Sequence, residues 1–367
     1  MMSSPAPTTL EAYLVPDFGT PSLEAPPGDE SHVGWWRKRF AEQGGGARSL
    51  VEALTQFQVP VRTGASGSDR YVRSIRRMQP VSSPSGPGEL FADADSIHWR
   101  VVDHPGGGLP VVTLAERADF ELAFRALGAR CEPVPVGRNV HALYVGGLPN
   151  PVRVREEESA FIEAGNDPLA WPQAMQRRMQ ADGTAFHDRL ILLHPGPYGG
   201  LRASDVHPRM DEPDWLEASG RLRLEHEFTH HATHRLLGSY RLHVHDELLA
   251  DLMGFTRALG GFDRTLFLRA LGVDDGRVDE DARLHTYTMG LPADDLPALV
   301  RLLESAADRL ESVSPLLSGA SEARRLRSLL SLSQIKLARL AELDPGALAE
   351  SLCADEPVEP IVDKEST

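Results

Sequence analysis

Five residues in the middle of the chain have types and spacing that could do chemistry together: His226-Glu227-Phe228-Thr229-His230, an HExxH pattern. On a helix, residues four apart share a face, so His226 and His230 project side by side. Two imidazoles at that separation can share one zinc ion, and Glu227 is then placed to act on a water the zinc holds. At roughly 100° per residue, Leu224 and Phe228 point the other way. The expected helix is buried on its back and faces a cleft on its front. An exposed helix with scattered His and Glu would give the same five letters, so the continuation of the chain decides.

Leu236-Leu237-Gly238 reads as a helix end with a glycine cap. His245-Asp246 then begins a second helical pattern, with Leu248, Leu249, Leu252, Phe255 and Leu259 as its apolar positions. On that helix Glu247 and Asp251 are four apart and share a face. Glu247 can be the third zinc ligand, and Asp251 can accept a hydrogen bond that fixes the tautomer of a ligating histidine. His234, four residues after His230, is a rival third ligand, but it would leave the Glu247/Asp251 pair without a role.

At these residues the chain resembles the gluzincin metallopeptidases, the thermolysin-like group, which pair an HExxH helix with a later helix carrying Glu-x-x-x-Asp, here Glu247-Leu248-Leu249-Ala250-Asp251. The Ala250-Asp251 ending is also similar to the Glu-x-x-Ala-Asp of membrane-bound CAAX-type zinc proteases. The metzincin pattern would need histidine at position 236, which is leucine. The resemblance covers residues 186 to 256. It implies an α+β fold with a zincin-like core, a mixed sheet plus the HExxH active-site helix. It implies that Asp251 serves His226, and that the strand lining the substrate cleft comes shortly before the HExxH helix. Asp188 to His194 is the strongest strand signal there, and as an edge strand it would bind a peptide by strand addition. The resemblance also implies a histidine that stabilises the developing oxyanion. His243 and His245 are candidates for it, and Tyr198, in the Pro195 to Gly200 turn, is another. The sequence does not choose among them.

The remaining elements must hold this site. The 367 residues can bury a large core in two or three packed units. Residues 1–45, rich in proline and small polar residues, read as a disordered tail, with no secretory signal in the first ten. Trp35-Trp36 reads as the anchor of a first helix in preference to a docking patch. Residues 46–150 read as an α/β region with strands near 99–102, 110–114 and 140–145, and a short helix ending at Gly128. Residues 151–262 carry the chemistry, with Pro213 and Asp211 starting a helix. Residues 263–353 read as a helical region whose two amphipathic patterns, 296–310 and 323–343, form an antiparallel pair. Residues 354–367 read as an acidic tail. The basic run Arg70, Arg73, Arg76 and Arg77 reads as a solvated face.

The net charge of −15 argues against nucleic acid as a partner. Only two cysteines occur, Cys131 and Cys353, which suits a reducing, cytoplasmic compartment. Cys131 reads as a buried free thiol in preference to a thiolate capping a latent metal. No apolar run is long enough to span a membrane. Three functional classes follow. The first is a zinc metallopeptidase acting on a peptide or protein, with Glu227 as general base. The second is a zinc hydrolase of a small non-peptide amide. The third is a catalytically idle zincin fold used as a binding module, against which the intact Glu227 argues.

Overall fold

The computed structural model describes residues 9–15, 18–19, 28–80, 86–183, 185–238 and 243–353. The expected acidic tail 354–367 lies outside these residues, as do positions 1–8, 16–17 and 20–27 of the expected N-terminal tail. The fold is α+β, mostly helical with a small mixed sheet. The chain forms two compact units, one of Gly28–Pro195 and one of Met1–Pro27 with Gly196–Thr367.

The first unit opens with helix α1 (Ser31–Gln43), so the expected disorder through residue 45 does not extend over this segment. Trp36 is fully buried and is the reason: α1 is tied down by its indole. The sheet comprises β1 (His98–Val102), β2 (Leu109–Thr113), β3 (Ala142–Pro149) and β4 (His187–Leu193), in the order β1-β2-β4-β3. β4 runs parallel to β2 and antiparallel to β3. It is therefore a central strand, and its backbone is paired on both sides, contrary to the expected edge. The unbroken Leu190-Ile191-Leu192 run is the physical reason, since an apolar run without alternation suits a strand buried on both faces.

Because β3 and β4 are sheet neighbours, no boundary falls between residues 150 and 151. Helices α2 (Pro151–Glu163) and α3 (Trp171–Ala181) lie in the connection between those two strands. Asp188, at the start of β4, collects the Trp36 indole at 2.8 Å, the Asn150 amide at 2.7 Å and Arg153 Nε at 2.8 Å. All four side chains are buried, and the shared carboxylate satisfies them together.

The second unit holds α4 (Glu212–Leu237), α5 (Val244–Leu259), α6 (Arg264–Leu271), α7 (Leu296–Val313), α8 (Glu322–Ser333), α9 (Leu337–Glu342) and α10 (Pro345–Cys353). Asp211 caps α4 by accepting from the Asp214 amide, Pro213 sits in the first turn, and Gly238 closes the helix at φ 66°. The expected helix over 323–343 is broken at 334–336, where Lys336 turns to extended backbone. That break lets Leu337 and Leu340 turn back into the core. α7 packs along α9, while α8 packs on α5, so the expected α7/323–343 pair does not form as one antiparallel hairpin. Residues 196–353 share one apolar core, with no boundary at 262. Among the described residues, no helix is long and apolar enough to cross a membrane.

α4 and α5 pack tightly together, and Gly254 allows the close approach. A Cβ at position 254 would stand 2.8 Å from the Leu222 carbonyl oxygen on α4 and 3.1 Å from the Leu222 side chain. Gly254→Ala is expected to force the helices apart and to lower the unfolding free energy by about 1–3 kcal/mol, as overpacking of a tight core does. A denaturant melt followed by helical circular dichroism checks this, and an unchanged midpoint would contradict the close-approach account.

Candidate metal centre

The pairing across α4 and α5 fixes the site. His226 on α4 meets Asp251 on α5, and His230, one turn further along α4, meets Asp246, more than one turn earlier on α5. Partners rise along one helix as they fall along the other, so the two helices are antiparallel. Asp246 and Glu247 lie in the first turn of α5, where the helix dipole favours negative charge. Asp251 lies one turn on from Glu247, on the same face.

Each imidazole is oriented from behind. His226 Nδ1 donates to Asp251 Oδ1 at 2.7 Å, and His230 Nδ1 donates to Asp246 Oδ2 at 2.8 Å. With both Nδ1 positions occupied, both Nε2 atoms turn to a common point, 3.0 Å apart. Glu247 completes the cluster: its Oε2 is 3.4 Å from His226 Nε2, and its Oε1 is 3.3 Å from His230 Nε2. The ligating atoms of His226, His230 and Glu247 all lie within 4.8 Å of one another, and the group is well buried. Two neutral imidazole nitrogens and a carboxylate oxygen at this separation are a donor set that can hold a metal ion.

The electrostatics fit a cation at the convergence point. Burial opposes charge on His226, but the Asp251 carboxylate outweighs it and holds the imidazole pKa above its usual value. His230, desolvated likewise, is held well above by Asp246 and Glu247. Burial would raise the Glu247 pKa, yet His230, His226 and Arg283 hold it well below the usual carboxylate range. The same carboxylates that favour a proton on the imidazoles would favour a divalent ion in its place, with both imidazoles then binding as neutral donors.

α4 is buried more completely than its apolar stripe suggests. Residues 225–229 are all buried, and only His230 of the cluster is partly open. Glu225, on the side away from the donors, is covered by Arg325, whose Nη2 donates to it at 3.3 Å. Glu227 follows His226 directly and is 8 % exposed. Arg223, one turn earlier, lies within electrostatic reach of Glu227; burial lowers its pKa to about 10, and its guanidinium donates to the Gly196 carbonyl at 2.6 Å.

Tyr198, expected as an oxyanion stabiliser, stands elsewhere. Its hydroxyl donates to Asp251 Oδ1 and accepts from Arg283 Nη1 at 3.0 Å, 3.3 Å from His226 Nδ1. It lies on the Nδ1 side of His226, behind the donors, and burial raises its pKa well above the usual value. Its proton is committed to Asp251, so it orients His226 and does not face a reacting group. His243, the other catalytic candidate, caps α5. Its Nδ1 accepts from the His245 amide at 3.1 Å, and its Nε2 donates to the Tyr13 carbonyl at 2.8 Å. Both ring nitrogens are engaged by backbone, which corrects the expected oxyanion role. His245 is buried and packs edge-on to Phe18, and burial lowers its pKa to about 3. His234 is not part of the donor cluster. Cys131 belongs to the core of the other unit, where burial raises its thiol to about 12, so it is a neutral core residue and not a capping thiolate.

Two residues of the site were not anticipated. Asp246 is adjacent in sequence to Glu247 and becomes readable only once the antiparallel register is known. Arg283, just before the short turn Leu284–Tyr287, donates to Glu247 Oε2 at 2.7 Å and has no periodic signal in the sequence.

The chain belongs to DUF7005, a family of unknown function whose model matches residues 6–344. No curated protein and no solved structure matches it at significant similarity.

Asp246→Asn and Asp251→Asn each remove a carboxylate charge and loosen one imidazole while keeping side-chain size. Each is expected to weaken divalent-metal binding about 10- to 100-fold, the usual effect of losing such a partner. Competition with a chelating dye measures it. Wild-type affinity in both variants would show that these carboxylates do not orient the donors.

Proposed function

We propose that the chain is a zinc-dependent metallopeptidase of the gluzincin type, with a zincin-like core built on α4 and α5. The observation that carries this reading is the convergence of His226 Nε2, His230 Nε2 and the Glu247 carboxylate, with each Nδ1 held by its own aspartate. Zinc suits two imidazoles and one carboxylate, a set that leaves a fourth position for water or substrate. Bound there, zinc supplies a Lewis acid that polarises the scissile carbonyl and makes water a nucleophile near neutral pH.

The chain's own residues perform the proton steps. The Glu227 carboxylate accepts the proton of the attacking water as the new C–O bond forms. It then delivers that proton to the leaving nitrogen as the C–N bond breaks, so the base is regenerated. Asp251 and Asp246 hold the imidazole N–H groups in place throughout. Tyr198, by donating to Asp251, fixes that carboxylate against His226.

The alternative is a zinc hydrolase of a small non-peptide amide. The same donors and the same base serve either substrate. The presence of Glu227 next to the donors argues against an idle site.

Glu227→Gln keeps the shape of the side chain and removes its basicity. It is expected to bind zinc as the wild type does and to lose about 10²–10⁴-fold in kcat, the usual worth of general-base catalysis. A substrate is found first by incubating the protein with cell extract and scoring new peptide termini, with a panel of small amides alongside. Equal turnover by wild type and Glu227→Gln would refute the mechanism. Turnover of amides alone would select the second reading.

A further inference from the structure

We infer that Arg283 is a positioning residue that restricts Glu247 to a single ligating oxygen and thereby keeps a coordination position open at the metal centre. The inference rests on the metal-site reading above and adds a residue to it. Arg283 Nη2 donates to Glu247 Oε2 at 2.7 Å, Nη1 donates to the Tyr198 hydroxyl at 3.0 Å, and Nε donates to the Tyr287 hydroxyl at 2.6 Å. The guanidinium also stands against two rings, 5.5 Å from the centre of Tyr198 and 5.4 Å from that of Tyr287. Two tyrosines anchor it independently of Glu247.

Its two tyrosine supports are themselves fixed. The Tyr198 amide donates to Ser219 Oγ at 3.0 Å, and its ring packs edge-on to Phe255. The Tyr287 carbonyl accepts from the Tyr13 hydroxyl at 3.1 Å. A carboxylate can bind a metal through one oxygen or through both. A charged hydrogen bond on Oε2 takes electron density from that oxygen and opposes its use as a second ligand. Oε1, 3.3 Å from His230 Nε2, is then the oxygen offered to the metal. A catalytic zinc site needs three protein donor atoms and one open position. Chelation by both oxygens would fill that position with protein.

If Arg283 were only a counter-ion for a buried carboxylate, its removal would change stability and leave the coordination number alone. Co2+ loaded into the full-length protein in place of zinc distinguishes the two, because its visible bands are intense in four-coordinate sites and weak in five-coordinate ones. Wild type is expected to show the intense spectrum. Arg283→Met, which removes the donors and keeps the length, is expected to lose several-fold in band intensity at full Co2+ occupancy. Should Arg283→Met not fold by circular dichroism, Arg283→Gln carries the same test; it keeps an amide donor without the charge, and a smaller loss of the same sign is expected. Wild-type spectra in the folded variants would overturn the inference while leaving the metal reading in place. A wild-type protein that takes up no Co2+ would overturn both.

Discussion

The site depends on two carboxylate–imidazole hydrogen bonds made across one antiparallel helix pair. Asp251 on His226 and Asp246 on His230 leave each ring one free nitrogen, and both free nitrogens turn to the same point. Without these contacts, two buried imidazoles on one helix face would have no fixed tautomer and no fixed rotamer. Three consequences follow from the register that places them. Glu247 falls beside both rings, α4 and α5 must approach closely, and the residue at the crossing must lack a side chain. Gly254 meets that last need against Leu222. The charges lie within a well-buried group and are acceptable there because each acid has a cationic or hydrogen-bonding neighbour.

The layers around this pair act in sequence. Tyr198 and Arg283 stand behind the donors and hold Asp251 and Glu247, and Tyr287 holds Arg283 in turn. Arg325 covers the opposite side of α4 through Glu225 and the Met253 carbonyl. The first unit is organised in a similar way around a single acid, Asp188, with Trp36, Asn150 and Arg153 converging on it. There the buried set is fully satisfied by itself, which marks it as structural. The cluster on α4 and α5 brings the two imidazole Nε2 atoms within 3.0 Å of each other, an arrangement that a cation between neutral rings resolves.

Local periodicity carried much of the site. The i, i+4 spacing of His226 and His230, the Glu247/Asp251 spacing, the Asp211 cap and the Gly238 stop are all features of one helix at a time, and each lies where the spacing put it. What failed depended on pairing between distant segments. Asp246 points about 100° around α5 from Glu247, so helical spacing alone assigned it no partner. Arg283 reaches the site from a turn 36 residues beyond Glu247. Tyr198 was anticipated from its turn, but its hydroxyl stands on the far side of His226. His243 was one candidate for stabilising the oxyanion, yet its ring closes the N-terminus of α5. The apolar run of β4 was read as an edge when its lack of alternation already indicated burial on both faces. The 323–343 pattern kept helical spacing through a backbone break, because Leu337 and Leu340 face the core on either description.

The central claim is that the convergence point of His226, His230 and Glu247 holds zinc. The most direct measurement is an anomalous difference map from crystals of the zinc-loaded protein, with data collected above and below the zinc absorption edge. The account predicts one strong peak per chain, bounded by the two Nε2 atoms and a Glu247 carboxylate oxygen, and present only above the edge. A zinc-loaded crystal with no peak there, or with its peak at other residues, would contradict it.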